Sequence, residues 1–322
     1  PKEIFKAYDI RGVVDTALSV DVVTAIGHAI GSEAKARNLT AIAIGRDGRL
    51  SGPSLTAALA KGIQKSGIDV VDVGMVATPM VYYPAHELCD YSGVMVTGSH
   101  NPPEYNGLKI VLGGETLASE TIQALRVRIQ NNDLSHGDGT YRQHDIVDNY
   151  LQRICSDIKL SRPLKVVVDC GNGVAGELGP ELIRRLGVET IPLFEEIDGN
   201  FPNHHPDPGK PENLADLIVA VRERKADLGV AFDGDGDRVG VVLQGGCILS
   251  ADKILYVLAA DYLSRNPEKP IVLDAMSSDS LAQKITDAGG RVIWSKTGHS
   301  HIEHAMKKHQ AELGGEQSGH FM

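Results

Sequence analysis

Ala41-Ile-Ala-Ile-Gly-Arg-Asp47 is a short apolar run that predicts a strand, and it begins a pattern that occurs three times in the chain. The rest of this first copy predicts a helix, a glycine turn and two further strands: residues 53–66, Gly67, 69–73 and 93–97. The last strand opens into the polar loop Gly98-Ser-His-Asn-Pro102. Short apolar runs that alternate with helical stretches predict strand–helix–strand units.

The second and third copies begin with Lys165-Val-Val-Val-Asp169 and Ile271-Val-Leu-Asp274. Their other elements follow in the same order: 180–186, Gly187, 189–194 and 228–232, then 280–288, Gly289, 292–294 and 311–313. The second copy ends in Asp233-Gly-Asp-Gly-Asp-Arg238 and the third in Gly314-Gly-Glu-Gln-Ser-Gly-His320. Ligands of α/β sheets bind outside the carboxyl ends of the strands. We therefore expect the three polar loops to converge on one site.

These units predict the α/β class, with three tandem and topologically similar domains. Apolar runs without polar alternation indicate mixed, largely parallel sheets buried on both faces. The stretch 131–140 is polar and glycine-rich, as in a linker, and a helix is expected over 145–157. The proline-rich segment 198–211 predicts a long ordered loop. The expected boundaries are 1–144, 145–247 and 248–322.

Composition narrows the possible partners and the compartment. The chain has 322 residues, with 42 Asp plus Glu against 32 Lys plus Arg and a formal net charge of −10, so nucleic acid is not an expected partner. No apolar run approaches the roughly 20 residues needed to cross a bilayer, so no membrane partner is expected. The N-terminus has no signal-peptide core. The four cysteines form no close pair, and a reducing cytoplasm is the expected location.

The aspartate loop Asp233-Gly-Asp-Gly-Asp-Arg238 is the strongest chemical signal. Asp233, Asp235 and Asp237 repel one another unless a cation neutralises them, and oxygen-only ligands favour Mg²⁺ over zinc. A calcium-binding EF-hand loop is excluded, since Arg238 and Gln244 stand where it requires Gly and Glu. A solvated acidic turn is the alternative. The apolar strand that precedes the loop favours the metal site.

The serine loop Thr97-Gly-Ser-His-Asn-Pro102 suits phosphoryl transfer, because Ser99 offers a hydroxyl with His100 adjacent and Lys109 downstream. It is not a hydrolase elbow, since Asn101 replaces the last glycine of G-x-S-x-G. Gly171-Asn-Gly-Val-Ala-Gly176 matches the dinucleotide fingerprint G-x-G-x-x-G and makes an NAD-dependent dehydrogenase the rival hypothesis. That rival leaves the serine and aspartate loops without a role. The histidines at 299, 301, 304 and 309 are not expected to form a zinc site.

Five motifs together resemble the α-D-phosphohexomutase superfamily, and within it the bacterial phosphomannomutase/phosphoglucomutase branch. They cover the chain in the family's order: Phe5-Lys-Ala-Tyr-Asp-Ile-Arg-Gly12, Thr97–Pro102, Phe232–Arg238, Lys296-Thr-Gly-His299 and Gly315-Glu-Gln-Ser-Gly-His320. The resemblance implies four domains around a central cleft, the first three sharing one topology. It also implies that the expected domains carry the phosphoserine loop, the metal and the sugar site in that order. Because the chain ends at Met322, the fourth domain is expected to be missing and the third incomplete.

The resemblance implies interconversion of hexose 6-phosphate and hexose 1-phosphate, of mannose and/or glucose, through a phosphoserine enzyme and a bound 1,6-bisphosphate. Ser99 would carry the phosphoryl group, and Mg²⁺ would lie between it and the three aspartates. Glucose 1,6-bisphosphate or mannose 1,6-bisphosphate would be the activator, and the enzyme is expected to be a monomer. Arg11, His100 and Lys109 would lie near the phosphoserine and take part in catalysis, with Lys109 a candidate for proton transfer. Arg238 and His299 would hold the ligand, Glu316 and Ser318 would bind sugar hydroxyls, and His320 would assist proton transfer.

Two departures from the family pattern bear on the sugar. Met276 stands where the family often has Lys, which puts one sugar or phosphate contact in doubt. Gln317 gives the sequence Gly-Glu-Gln-Ser-Gly-His, which is frequent in phosphoglucosamine mutases. Phosphoglucosamine mutase is therefore the alternative within the superfamily, whereas the N-terminal motif favours the mannose/glucose branch.

Overall fold

The computed structural model describes residues 1–322 as three consecutive α/β units. The first unit contains a seven-stranded mixed sheet in the order β1-β5-β4-β2-β3-β7, with β6 beside β5. Its strands are β1 (Ile10–Val13), β2 (Ala41–Arg46), β3 (Asp69–Met75), β4 (Gly93–Val96), β5 (Tyr105–Leu112), β6 (Glu115–Thr116) and β7 (Tyr141–Gln143). The helices are α1 (Val20–Ala36), α2 (Gly52–Gln64), α3 (Thr78–Leu88) and α4 (Glu120–Gln130), after a short 3₁₀ turn at Lys2–Ile4.

The second unit has a five-stranded sheet in the order β12-β11-β10-β8-β9. Its strands are β8 (Lys165–Asp169), β9 (Glu189–Leu193), β10 (Leu228–Phe232), β11 (Val239–Leu243) and β12 (Cys247–Leu249). Its helices are α5 (Val147–Asp157), α6 (Ala175–Arg185) and α7 (Ala215–Glu223), with a 3₁₀ turn at Pro211–Leu214. Strand β12 pairs with β11, so this sheet extends past residue 247, where the sequence predicts the domain boundary.

The third unit has three parallel strands in the order β14-β13-β15. They are β13 (Pro270–Asp274), β14 (Arg291–Ser295) and β15 (Leu313–Gly315), and the helices are α8 (Ala251–Arg265), α9 (Asp279–Asp287) and α10 (His299–His309). The prediction of strand 311–313 is wrong by two residues, because Gly314 and Gly315 pair with β13. A Cβ atom on Gly314 would lie 2.9 Å from side-chain atoms of Ile302 and Met306 of α10, so glycine lets this helix pack close to the strand. The polar loop therefore begins at Glu316.

Of the apolar runs found in the sequence, β2, β4, β8, β10 and β13 are interior strands of their sheets, whereas β9, β14 and β15 lie at sheet edges. The largest buried cluster contains 26 residues and lies between the first sheet and its helices α1, α2 and α4. Gly67, Gly187 and Gly289 adopt the positive φ that ends each crossover helix, as predicted. Helix α6 begins at Ala175, earlier than the predicted residue 180, so Pro180 lies within the helix. No helix is both long and apolar enough to span a membrane.

Candidate active site

The three polar loops meet at the carboxyl ends of β4, β10 and β15. Ser99 of the first loop donates a hydrogen bond from Oγ to Asp233 Oδ2 of the second, over 3.1 Å. His320 of the third loop places Nε2 at 3.3 Å from Asp237 Oδ1. The convergence predicted from the threefold pattern is therefore present.

The aspartate loop curls around its own first carboxylate. Asp233 Oδ1 accepts the backbone N–H groups of Asp237 and Arg238, at 3.1 and 3.2 Å. Gly234 faces the carbonyl oxygen of Ser99 so closely that a Cβ atom at residue 234 would clash with it. Gly236 has a φ of +70°, which favours glycine. The glycines therefore allow the loop both to turn and to approach the serine loop.

The three carboxylates suit a small divalent cation. They offer ligand atoms that all lie within 4.8 Å of one another. Asp235 Oδ1 is buried without a hydrogen-bond partner, which is costly for a carboxylate in the absence of a cation, and Asp237 Oδ1 has only the His320 Nε2 contact at 3.3 Å. Burial and the neighbouring charges of Asp235 and Asp237 raise the pKa of Asp233 to about 7. An oxygen-only donor set of this kind fits Mg²⁺.

Lys109 points from β5 onto the same carboxylates. Its Nζ donates to Asp235 Oδ2 over 2.6 Å and to Asp237 Oδ2 over 2.5 Å. Although burial opposes its charge, these carboxylates hold the pKa of Lys109 well above its usual value. Thr78 at the start of α3 also donates to Asp235 Oδ2, over 2.6 Å. Two side chains of the first unit, Lys109 and Thr78, thus position the aspartate loop of the second.

Ser99 occupies a strained position at the turn of the serine loop. Its φ of +49° is in the left-handed region, and the residue is only 4% exposed. The Oγ atom lies 3.1 Å from His100 Nδ1. Burial and the positive charge of Arg238 lower the pKa of His100 to about 4, so this imidazole is neutral near pH 7. A neutral imidazole can exchange hydrogen bonds with a hydroxyl in either direction.

The third loop brings a carboxylate, a hydroxyl and an imidazole together. Glu316 Oε1 accepts the backbone N–H of Gly298 over 2.6 Å, which ties the loop to the start of α10. His320 Nδ1 lies 2.9 Å from Glu316 Oε2 and 2.8 Å from Ser318 Oγ. Burial opposes the charged form, but the Asp237 carboxylate outweighs it and raises the pKa of His320 to about 9. His299 lies nearby, and the centroid of its ring is 6.1 Å from that of His320.

Two arginines offer positive charge beside this cluster. Arg238 binds Asp233 Oδ2 through Nε and Asp207 Oδ1 through Nη1, at 3.1 and 3.0 Å. Arg11 pairs with Asp9. Arg238 Nη2, Arg11 Nε and His299 Nε2 are buried without hydrogen-bond partners. Unused cationic and imidazole nitrogens of this kind can bind an anion.

A cavity of about 650 Å³ lies above the cluster. Eight of the predicted site residues line it: Arg11, Ser99, His100, Lys109, His299, Glu316, Ser318 and His320. The other four, Arg238 and the three aspartates, connect to this wall through the contacts with Ser99, Lys109 and His320. Met276 does not line this cavity and is 68% exposed.

Several residues that position the site were missed by the sequence reasoning. Asp47 and Arg49 form a buried ion pair directly after β2, with Nε and Oδ2 separated by 3.2 Å. Asp207 from the proline-rich loop orients Arg238, and Thr78 orients Asp235. The only signal for the first pair is the sequence Arg46-Asp-Gly-Arg49 at the end of a buried strand.

The dinucleotide motif is filled by the protein itself. Gly173 packs against the carbonyl oxygens of Asp233 and Gly234, and Gly176 packs against the backbone of Glu195. Gly171 packs against His204 and Pro206. These glycines allow close contact between loops of the second unit, so the approach that a pyrophosphate would need is taken by protein atoms. His301, one of the four histidines at 299, 301, 304 and 309, packs edge-on against the ring of Tyr8.

Comparison with known proteins agrees with this geometry. Family models for α/β/α domains I, II and III of phosphoglucomutase/phosphomannomutase match residues 2–136, 147–246 and 250–322. Phosphomannomutase/phosphoglucomutase of Pseudomonas aeruginosa is 56% identical over 320 residues, which cover 99% of this chain and 69% of that protein. Phosphoglucomutase of Neisseria meningitidis is 50% identical over 322 residues, 99% of this chain and 70% of that protein.

A solved structure supports the same assignment. The crystal structure of a phosphoglucomutase/phosphomannomutase family protein from Burkholderia thailandensis has a TM-score of 0.97 and 49% sequence identity to this chain. The match covers 100% of this chain and 72% of that one. The chain therefore belongs to the phosphoglucomutase/phosphomannomutase family of the α-D-phosphohexomutase superfamily, whose members are intramolecular phosphotransferases.

Proposed function

We propose that this enzyme interconverts the 6-phosphate and 1-phosphate of a hexose, mannose and/or glucose, through phosphorylated Ser99 and a bound 1,6-bisphosphate. The observation that carries the proposal is the contact between Ser99 Oγ and Asp233, at 3.1 Å, on the wall of a cavity large enough for a sugar phosphate. The phosphoryl group passes from Ser99 to one sugar oxygen. After the bisphosphate turns round, its other phosphoryl group returns to Ser99.

The aspartate loop would hold Mg²⁺ together with an oxygen of the phosphoserine. When bound there, the ion supplies positive charge that stabilises the transferring phosphoryl group. The chain's own part is to keep three carboxylates within 4.8 Å of one another and to turn Ser99 toward them. Asp207 and Asp233 hold Arg238 in place, and its free Nη2 is available for a ligand oxygen.

Each transfer requires a proton to leave the attacking sugar hydroxyl and a proton to reach the departing oxygen. We assign these proton transfers to Lys109 and His320, which line the cavity and both contact Asp237. The aspartates that raise the pKa of both groups are the proposed ligands of Mg²⁺, so a bound cation would lower both pKa values toward the range in which a group can accept a proton. Arg11 and His100 border Ser99 and would steady the phosphoserine. Glu316 and Ser318 would accept and donate hydrogen bonds to sugar hydroxyls, and His299 Nε2 is free to do the same.

The test is phosphorylation of the natural full-length protein by glucose 1,6-bisphosphate, followed by peptide mass analysis. We expect one added phosphate on Ser99 and none on Ser99→Ala. Phosphate on Asp233 or Asp235 would make this an aspartyl-phosphate enzyme instead. Tight NADH binding without phosphorylation would revive the dehydrogenase hypothesis.

Coupled assays with mannose, glucose and glucosamine 1-phosphates decide the sugar. We expect mannose and/or glucose to give the highest kcat/KM. A preference for glucosamine would agree with Gln317, which is exposed directly beside the cavity residues Glu316 and Ser318.

A further inference from the structure

Arg49 is a fully charged side chain that the structure buries to 2% exposure. Its guanidinium has five N–H donors, and each one has an acceptor. Nε donates to Asp47 over 3.2 Å. Three hydrogen bonds go to carbonyl oxygens of the serine loop, Ser99 at 2.8 Å, Asn101 at 2.6 Å and Pro102 at 2.6 Å, and one goes to the carbonyl of Tyr105 at the start of β5, at 2.9 Å. A planar fork of donors is therefore matched to carbonyl oxygens in and just after a single loop.

Asp47 holds the other half of the same loop. Its Oδ2 atom accepts the hydroxyl of Thr97 at 2.7 Å and the backbone N–H of Gly98 at 3.2 Å. The Thr97 hydroxyl in turn accepts the N–H of Ser99, at 2.7 Å. The Asp47–Arg49 pair thus makes hydrogen bonds to the loop both before and after Ser99. A residue other than glycine in the left-handed region, such as Ser99, is strained and persists only where its surroundings hold it.

The second unit closes over this pair. The ring of Phe201 lies 5.2 Å from the guanidinium carbon of Arg49, within range of a cation–π contact. Gly199 packs against the backbone of Arg49 and Leu50, where any side chain would crowd it. Segment 194–210, which carries Phe201, also supplies Asp207 to the ligand-facing Arg238.

We propose that Arg49 is a positioning residue that holds Ser99 in register with the aspartate loop. Phe201 of the second unit, by packing on the guanidinium, helps to keep Arg49 in place. The inference rests on the proposed phosphoryl transfer at Ser99. Arg49 does not line the cavity and makes no hydrogen bond to the aspartate loop; its hydrogen bonds go to Asp47 and to backbone carbonyl oxygens in and just after the serine loop. A displacement of about 1 Å in a reacting group can cost on the order of 10²-fold in rate.

The decisive variant is Arg49→Lys, made in the natural full-length protein. Lysine keeps the charge but cannot satisfy several carbonyls arranged in a plane. We expect the rate of Ser99 phosphorylation by glucose 1,6-bisphosphate to fall at least about tenfold. The dissociation constant for glucose 1-phosphate should change less than about threefold, because Arg49 does not line the cavity.

Arg37→Lys is the matched control for loss of an arginine network. Arg37 belongs to the same unit and binds Glu33, Glu115 and the carbonyl of Leu112, away from the serine loop. The Arg37→Lys variant should have a lower melting temperature than the unsubstituted protein but the same rate of Ser99 phosphorylation. If Arg49→Lys behaves in the same way, losing stability but keeping the wild-type rate, Arg49 is merely structural and the proposal is overturned.

Phe201→Leu tests the same idea without leaving a buried carbonyl unpaired, and it decides the matter if Arg49→Lys does not fold. We expect a smaller loss of phosphorylation rate with unchanged sugar affinity. An unchanged rate would remove Phe201 from the proposal and, with Arg49→Lys unfolded, would overturn it. If unsubstituted protein takes no phosphate on Ser99, the proposed function itself fails, which separates the two outcomes.

Discussion

Lys109 links two units of the enzyme through a single ammonium group. It pairs with Asp235 and Asp237 while only 6% of its side chain is exposed. The same carboxylates are the expected ligands of Mg²⁺, so the ammonium and the metal both respond to one cluster of negative charge. A buried ammonium near a cation site lowers the affinity of that site through like-charge repulsion.

We therefore expect Lys109→Met to bind Mg²⁺ more tightly while turning over far more slowly. The affinity should rise because a competing positive charge is gone, and the turnover should fall by at least about tenfold because a proton-transfer group is lost. Calorimetric titration with Mg²⁺ and a coupled mutase assay measure the two effects. Lys65→Met, at an exposed residue of the first unit, is the control. Weaker Mg²⁺ binding in Lys109→Met would show that the lysine supports the metal site rather than opposing it.

Segment 194–210 shows how an element without helix or strand is held in place. His204 Nε2 binds both oxygens of Asp169, at 3.0 and 3.1 Å, at the end of β8. The Asp169 carboxylate is fully buried and also accepts the N–H of Gly171. Two other residues of the segment contact the site: the ring of Phe201 packs on the guanidinium of Arg49, and the Asp207 carboxylate pairs with Arg238.

This contact predicts a pH dependence of stability. Burial opposes the charge on the imidazole, but the hydrogen bond and charge of Asp169 outweigh it and raise the pKa of His204 above its usual value. A group whose pKa is raised by folding stabilises the protein fully below its unfolded pKa, about 6.5, and this contribution is lost as pH rises through the folded pKa.

The difference in unfolding free energy between wild type and His204→Asn should therefore be largest in mildly acidic solution and should shrink as pH increases. Urea denaturation at a series of pH values measures it. His304→Asn, at an exposed position in the middle of α10, is the control. A difference that grows with pH would contradict a charged His204.

At the scale of the whole molecule, the site is a junction between units. The first unit contributes Ser99, Lys109 and Thr78 to the aspartate loop of the second, and the third contributes His320. Away from the site, two hydrogen bonds join the first and third units. Thr116 of the first unit donates to Glu303 of the third, and Lys307 of the third donates to the carbonyl of Gly114 of the first. A cation at the junction would therefore stabilise the whole assembly.

We expect saturating Mg²⁺ to raise the melting temperature. Ligand at 100 times its dissociation constant adds about 2.7 kcal/mol to the stability of the folded state. Asp235→Asn should abolish most of this shift and most of the activity, because it removes one ligand charge with little change in shape. Asp216→Asn, an exposed substitution in α7 of the same unit, is the control. A full Mg²⁺ shift in Asp235→Asn would contradict the metal assignment.

Much of the fold is readable from local sequence, because buried strands need apolar runs and crossover helices need a terminating residue. Lys165–Asp169 and Leu228–Phe232 are predicted at both ends, and Gly67, Gly187 and Gly289 at the helix ends are correct. The errors occur where a residue has a role set by a distant neighbour. Gly314 belongs to β15 because it pairs with Val272 of β13 while α10 packs closely over it, and neither contact is visible in residues 311–315.

The residues by themselves determined the three α/β units and the chemistry of their loops: a hydroxyl, a set of carboxylates and a loop with a glutamate, a serine and a histidine, at three strand ends. Only the tertiary structure decided how these groups are oriented. Thr78 and Asp235 are 157 positions apart, and Lys109 and Asp235 are 126 apart, so their pairing leaves no local pattern. Arg49 reads in the sequence as an ordinary charge after a strand. It becomes a buried clamp because folding removes its water and surrounds its guanidinium with carbonyl oxygens, each of which needs a donor.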